Sequence, residues 1–232
     1  QYTPGYAKTT NPKDEFSKLL YSKQNLYFTD VMVKGRYTSL CKSVWERFGV
    51  ELNFEDNDLE VIKNGKVDFI SFSYYFSYLV SDDGNDGYNY EKGNPYLKQG
   101  QWNRTIDPIG LRISLNELYN RYEVPLFIVE NAIPLDDKLN GNGSINDEER
   151  IQFFKDHIKQ IELAITNDYI DVLGYTTWAP IDMVSVSTGE MKKRYGFIYV
   201  DKNNDGSGTY NRYKKASFDW YKHVIESNGE SL

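Results

Sequence analysis

Apolar positions along the chain follow two periods, which together predict strands separated by helices. Three runs rich in apolar and β-branched residues are typical of buried strands, and they lie at 67–75, 125–130 and 171–178. Between these runs, apolar residues recur at helical spacing over 107–122 and 147–165. The order strand, helix, strand, helix, strand predicts a parallel sheet.

The two helices between the strands have recognisable starts. Asp107 is a good N-cap residue and Pro108 suits the first helical position. The second helix is predicted to begin at Asn146 or Asp147. The expected core positions of the two helices are Leu111, Leu115, Leu118 and Tyr122, then Ile151, Phe154, Ile158, Ile161 and Ile165.

The rest of the chain has weaker patterns. Residues 1–12 are rich in Gly, Pro and polar residues and are predicted to be irregular. Residues 81–101 form a long loop rich in Gly, Asp, Asn and Tyr. Helices are further predicted at 13–22, 37–48 and 213–226, and a short strand at 195–200.

Each of the three strand-like runs ends on a side chain that can take part in binding or catalysis. These side chains are the phenol of Tyr75, the carboxylate of Glu130 and the indole of Trp178. In a parallel α/β barrel the C-terminal ends of the strands share one mouth, where catalytic groups lie. A complete barrel has eight strands and about 250 residues, whereas only three strong strands are visible. The predicted fold is therefore α/β, a partial TIM (β/α)8 barrel with parallel strands and flanking helices, with residues 1–232 as a single domain.

Composition narrows the possible functions. The net charge of −7 argues against general nucleic-acid binding, which needs a basic face. The single cysteine, Cys41, excludes an internal disulfide framework. With no signal peptide or long apolar run, the chain is expected to be soluble and cytoplasmic, without membrane contact. The 20 Tyr and 12 Phe residues suit an amphipathic cleft that stacks on sugars.

Several motifs, in order along nearly the whole chain, resemble the C-terminal half of family 1 retaining β-glycosidases. They are Asp68-Phe-Ile-Ser-Phe-Ser-Tyr-Tyr75, Gln101-Trp102 ahead of Ile106-Asp-Pro-Ile-Gly-Leu111, Phe127-Ile-Val-Glu130-Asn131, and Trp178-Ala-Pro-Ile-Asp182 followed by Lys193-Arg-Tyr-Gly-Phe-Ile-Tyr-Val-Asp201. Within that family the chain is most similar to the 6-phospho-β-glucosidases.

The resemblance implies a role for each of four residues. Glu130 matches the nucleophile, and Tyr75 matches the tyrosine that hydrogen-bonds the nucleophile. Trp178 matches the aromatic platform under the sugar, and Trp102 the wall toward the leaving group. Without the resemblance, each residue has a structural interpretation as well. Glu130 is then a helix N-cap or a salt-bridged strand end, and Tyr75 is a tyrosine at the surface end of a strand. Trp102 and Trp178 are then core residues.

The segment 184–195 resembles the loop that binds the sugar 6-phosphate in phospho-specific members. The resemblance assigns Lys193, Tyr195 and Ser187 to the phosphate, with Ser185 as the alternative serine. No glutamate occupies the Ser185-Val186-Ser187 position, where members acting on unphosphorylated sugars carry one. Val186, in place of a tryptophan, favours gluco substrates. The alternative is that the basic residues of 192–194 form a solvated turn.

Two departures from the family pattern matter. The usual Glu-Asn-Gly reads Glu130-Asn131-Ala132, and an alanine where glycine's freedom is needed is expected to be strained. The acid/base glutamate of the family has no match, because Glu15, Glu46 and Glu51 lie in helical or connector contexts. The first half of the barrel is therefore expected to be a partner, or else a second copy of the chain.

The resulting hypothesis is retaining hydrolysis of 6-phospho-β-glucosides to glucose 6-phosphate and an aglycone through a glycosyl-enzyme on Glu130. No cofactor or metal is expected. This chain alone is expected to be inactive. The alternatives are a non-catalytic remnant that binds phosphosugars and half of an unphosphorylated β-glucosidase.

Overall fold

The computed structural model describes residues 1–232 and alternates strands with helices along the chain. The strands are β1 (Gly5–Ala7), β2 (Ile70–Ser73), β3 (Tyr78–Ser81), β4 (Asn89–Glu91), β5 (Lys98–Gln99), β6 (Thr105–Ile106), β7 (Leu126–Glu130), β8 (Val172–Tyr175), β9 (Ile198–Val200) and β10 (Arg212–Lys214). The helices are α1 (Pro12–Lys34), α2 (Ser39–Phe48), α3 (Asp58–Asn64), α4 (Pro108–Tyr122), α5 (Glu148–Thr166) and α6 (Ala216–Glu226). None of them has the length and apolar character needed to cross a membrane.

The three predicted strands form one sheet in the order β2-β7-β8, and both pairings are parallel. Helix α4 connects β2 to β7 along the chain, and α5 connects β7 to β8. The predicted parallel unit is therefore confirmed. Its strands are shorter than the apolar runs, so Tyr75 and Trp178 lie in the loops that follow β2 and β8, at the end where Glu130 terminates β7.

Helix α4 begins as predicted, because the Asp107 side chain accepts a hydrogen bond from the Gly110 amide at 2.8 Å. Its leucines Leu111, Leu115 and Leu118 are buried against the sheet. Burial of each leucine side chain contributes roughly 2 kcal/mol. Together these contacts fix the helix under the strands whose ends carry the candidate site.

Helix α5 departs from its predicted core face at its last turn. Ile151, Phe154 and Ile161 are buried, but Ile165 is 45% exposed and Ala164 occupies the core instead. The predicted positions follow a seven-residue repeat, and a straight helix drifts by about 20° per heptad relative to that repeat. By the last turn this drift has carried Ile165 away from the sheet.

The prediction that residues 1–12 are irregular is wrong for Gly5–Ala7, which form β1 and pair in parallel with β3, and holds for most of the other residues. The long loop predicted at 81–101 likewise contains β4 and β5, each paired with a neighbouring strand. The helix predicted at 213–226 begins only at Ala216, because residues 212–214 form β10, antiparallel to β9. These strands have two or three residues each, too few to produce a recognisable period.

Candidate active site

The Glu130 carboxylate lies at the end of β7, and the Tyr75 hydroxyl donates a hydrogen bond to its Oε2 at 2.9 Å. Burial, followed by the bond to Glu130, raises the pKa of Tyr75 far above its ordinary value. Tyr75 therefore keeps its proton, and remains a hydrogen-bond donor, near neutral pH. A hydrogen bond to a carboxylate favours its charged form and limits its rotation.

Asn131 connects the ends of all three strands. Its side-chain amide donates to the Tyr74 carbonyl at 2.8 Å, and its side-chain oxygen accepts from the Tyr175 hydroxyl at 2.8 Å. Its backbone carbonyl accepts from the Trp178 amide at 3.0 Å. Asn131 is fully buried, so these bonds are protected from water and fix Trp178 relative to Glu130.

A cleft of about 300 Å³ opens at this end of the sheet. Six of the predicted site residues line it, namely Glu130, Tyr75, Trp178, Ser185, Ser187 and Tyr195. Glu130 is the one carboxylate among the lining residues. The cleft thus combines a single candidate nucleophile with an indole and a set of hydroxyl groups.

Lys193 lies directly behind this lining. Its ammonium donates to the Ser187 hydroxyl at 3.0 Å, and the Ser187 hydroxyl lies 3.3 Å from that of Ser185. The residue is 2% exposed and forms no salt bridge, although buried cations are usually paired. Burial, followed by the neighbouring charge of Arg104, lowers the pKa of Lys193. A cation in this position is suited to receive an anion from the cleft.

Trp102 does not line the cleft, but it contacts segment 184–195, which carries Lys193. Its indole nitrogen donates to Glu190 at 3.0 Å, and the Lys193 ammonium lies 5.9 Å from its ring centroid. Its backbone is left-handed, with a φ of 53°, as is that of Ala179 after Trp178, with a φ of 61°. Such strain is often found at functional sites.

The three consecutive basic residues 192–194 have different environments. Lys192 is exposed and pairs with Glu190 at 3.3 Å, as expected for a solvated turn. Lys193 and Arg194 are buried, so the interpretation of the whole segment as a solvated turn is wrong. Lys193 contacts Ser187, whereas Arg194 lies 3.3 Å from Asp182.

Arg194 belongs to a buried ion network, which consists of Arg194, Asp182, Lys215, Asp137, Arg150 and Asp147. Lys215 donates to Asp137 at 2.6 Å and to Asp182 at 2.7 Å. Arg150 donates to Asp137 at 2.8 Å and to the Arg194 carbonyl at 3.1 Å. The network ties α5, α6 and the loop after β7 to the segment that carries Lys193.

The expectation of strain at Ala132 is wrong. Its φ is not positive, and its methyl group packs in a core cluster with Phe153, Phe154 and Tyr195. An L-residue therefore fits at this position without a left-handed backbone.

Arg104 lines the cleft and was missed by the sequence analysis. It follows a short 3₁₀ turn, Gln101–Asn103, and precedes β6, inside a region whose sequence gives no periodic signal. Its position depends on the pairing of β5 with β6, which only the fold reveals.

Residues 4–230 match the sequence model of the family described as glycosyl hydrolase family 1. The chain is 46% identical to an aryl-phospho-beta-D-glucosidase of Bacillus subtilis, over 100% of this chain and 50% of that protein. It is 47% identical to a 6-phospho-beta-glucosidase of Clostridium longisporum, over 99% of this chain and 50% of that protein. A solved family 1 b-glucosidase from Thermotoga maritima superposes with a TM-score of 0.85 at 25% identity, covering 99% of this chain and 50% of that one.

The chain thus spans about half the length of the relatives it matches, and it corresponds to their C-terminal half. The predicted partial barrel is confirmed, because the solved neighbours are TIM-barrel enzymes and this chain has parallel strands without a closed barrel. Since the match covers nearly every residue and the motifs around Glu130 and Trp178 agree with it, the chain belongs to glycosyl hydrolase family 1.

Proposed function

We propose that this chain is the half of a retaining 6-phospho-β-glucosidase that carries the nucleophile and the phosphate-binding loop. The observation that carries the proposal is that the buried ammonium of Lys193 forms no salt bridge and lies next to the cleft that contains Glu130. The names of the two relatives above, both phospho-glucosidases, support the same substrate class.

In the proposed reaction, a Glu130 oxygen attacks the anomeric carbon and forms a glycosyl-enzyme as the bond to the aglycone oxygen breaks. Water then attacks the same carbon, releases glucose 6-phosphate and returns the carboxylate. The Tyr75 hydroxyl donates a hydrogen bond to Glu130 and so orients its carboxylate in the cleft. Trp178 stacks on the apolar face of the sugar.

This chemistry requires a second carboxyl group about 5–5.5 Å from the first, which protonates the leaving oxygen and later activates water. Glu130 is the one carboxylate lining the cleft. The general acid therefore comes from residues outside this chain, and the chain alone has negligible turnover. The lack of a second carboxylate in the cleft also favours a second candidate function, that of a non-catalytic module that binds phosphosugars.

The phosphate-binding group consists of Lys193, Tyr195 and Ser187, with Ser185 as a further hydroxyl. A phosphate has three acceptor oxygens and accepts charge-assisted hydrogen bonds. The side chain of Val186 is small and 84% exposed, which leaves room for an equatorial sugar hydroxyl and favours gluco substrates.

The partner of the chain is proposed to be the other half of the barrel or a second copy. Strands β2 and β8 each have one unpaired edge, and Leu173 on β8 is 56% exposed. Open edges and exposed apolar strand residues favour association. We propose a cytoplasmic location, one domain over residues 1–232, and no nucleic-acid or membrane partner.

Binding by the purified chain tests the phosphate-binding group. Isothermal titration calorimetry with glucose 6-phosphate and with glucose is expected to show binding of the phosphorylated sugar only. Lys193→Gln is expected to weaken that binding at least tenfold, because it removes a charge-assisted hydrogen bond. Lys192→Gln is the matched control, since Lys192 is exposed and faces Glu190. Equal affinity for both sugars contradicts the proposal and favours half of an unphosphorylated β-glucosidase.

Turnover separates an enzyme half from a binding module. The chain is co-expressed with the amino-terminal half of the Bacillus subtilis relative, and this pair is called the reconstituted enzyme. It is expected to hydrolyse a chromogenic β-glucoside 6-phosphate, and Glu130→Gln is expected to abolish that activity. A stable complex that binds glucose 6-phosphate but never turns over contradicts the enzymatic role.

A further inference from the structure

Arg104 has an unusual environment for a cation. It lines the same cleft as Glu130 and Tyr195, and it forms no salt bridge with any carboxylate of the chain. Its guanidinium lies 4.4 Å from the ring centroid of the buried Phe76, and the Lys92 ammonium lies 5.4 Å from the same centroid. Two cations thus contact one aromatic ring at the edge of the cleft.

Stacking on an aromatic ring holds a guanidinium in place without neutralising it. Arginine also stays charged at every accessible pH and presents donors in a planar fork that matches phosphate oxygens. Lys92 is exposed and does not line the cleft, so it adds positive potential without direct access to a ligand there. Arg104 is therefore the cation of this pair that is available to an anion in the cleft.

The charge of the proposed substrate is larger than one lysine neutralises. A phosphate monoester carries a charge of about −1.5 to −2 near pH 7. Lys193 contributes a single positive charge, while Tyr195 and Ser187 contribute hydroxyls only. Burial raises the pKa of Tyr195, and the nearby Arg104 guanidinium and Ser185 hydroxyl oppose that rise, which indicates that Arg104 lies beside the phosphate-binding group.

We propose that Arg104 is a second phosphate-binding cation, which together with Lys193 selects the dianionic 6-phosphate over singly charged groups at the same position. This inference rests on the proposed function. It adds Arg104, as a specificity-determining residue, to the phosphate-binding group of Lys193, Tyr195 and Ser187.

Glucose 6-phosphate and glucose 6-sulfate provide a sharp test, because the sulfate ester remains a monoanion where the phosphate becomes a dianion. Calorimetry on the purified chain at pH 7.5 is expected to show about a tenfold preference for the phosphate. Arg104→Gln is expected to reduce that preference to about twofold or less while leaving sulfate binding detectable. Arg104→Lys, which keeps the charge but not the fork, is expected to give an intermediate preference.

Arg47→Gln is the matched control. Arg47 also stacks on an aromatic ring, 4.6 Å from the Tyr88 centroid, and it does not line the cleft. Its removal is expected to leave both affinities unchanged. If Arg104→Gln retains the full phosphate preference while Lys193→Gln loses binding, the inference is wrong and the proposed function stands. If the wild-type chain binds neither anionic sugar, both are wrong.

Discussion

The Tyr75 hydroxyl donates a 2.9 Å hydrogen bond to the Glu130 carboxylate across 55 positions of sequence. The parallel pairing of β2 with β7 creates this contact, because it brings the C-terminal ends of both strands to the same edge of the sheet. The backbone reinforces it, since the Tyr74 amide donates to the Glu130 carbonyl at 2.9 Å. Although Tyr75 lies just after β2, the pairing of β2 with β7 and the backbone hydrogen bond of Tyr74 thus determine the position of its phenol.

Tyr75→Phe is expected to slow formation of the glycosyl-enzyme by about 10- to 100-fold, the usual effect of a hydrogen bond to a charged group. Pre-steady-state measurement of aglycone release by the reconstituted enzyme checks this. Tyr96→Phe, at a 93% exposed position, is the control and is expected to have no effect. An unchanged rate in the Tyr75 variant would show that the hydroxyl does not assist Glu130.

Trp178→Ala tests the platform separately from the phosphate-binding group. Loss of the indole face is expected to weaken glucose 6-phosphate and glucose 6-sulfate binding by the same factor, about tenfold, because both share the sugar ring. Calorimetry on the purified chain provides the two affinities. Trp45→Phe, outside the cleft on α2, is expected to change neither. A loss confined to the phosphate ester would place Trp178 in the phosphate-binding group instead.

The elements predicted best from sequence are those with strong local signals. Helix α4 has an N-cap at Asp107, a proline at the next position and leucines at helical spacing, and each signal acts within a few residues. The β7 run is similarly continuous and ends at Glu130. Local propensity and tertiary packing favour the same structure here, so sequence reasoning succeeds.

The features that escaped prediction depend on long-range contacts. Strand β1 exists because Gly5 pairs with Tyr78, more than seventy positions away. Arg104 reaches the cleft through a two-residue strand pairing. The ion pair of Asp137 with Lys215 joins residues 78 positions apart. No periodicity within either partner encodes such contacts, so only the assembled fold reveals them.

Asp137→Asn is expected to destabilise the chain by about 3–5 kcal/mol, because it leaves the buried Lys215 and Arg150 cations without their shared carboxylate. Urea unfolding followed by circular dichroism measures this. The neighbouring Asp136→Asn is the control, since Asp136 pairs with the exposed Lys138 and such pairs contribute about 0–1 kcal/mol. Equal effects of the two substitutions would contradict a structural role for the network.

His157 makes stability depend on pH in a defined window. The residue is fully buried, its Nδ1 donates to the Phe153 carbonyl at 2.7 Å, and its Nε2 has no hydrogen-bond partner in the chain. Burial lowers the pKa of His157 from 6.5 to about 4. Between these values the unfolded chain binds the proton and the folded chain does not, so stability is fully present above pH 6.5 and falls as the pH decreases toward 4.

The expected loss between pH 7.5 and pH 4.5 is about 2.5 kcal/mol from this group. Urea unfolding at pH values down to 4.5 measures it. Carboxyl groups of the unfolded chain begin to take up protons near the lower end of this range, so the difference between the wild type and a His157 variant isolates the histidine. His157→Gln is expected to remove this part of the pH dependence, whereas His223→Gln, at the other and exposed histidine, is expected to retain it. If the His157 variant keeps the wild-type slope, the buried imidazole is not the titrating group.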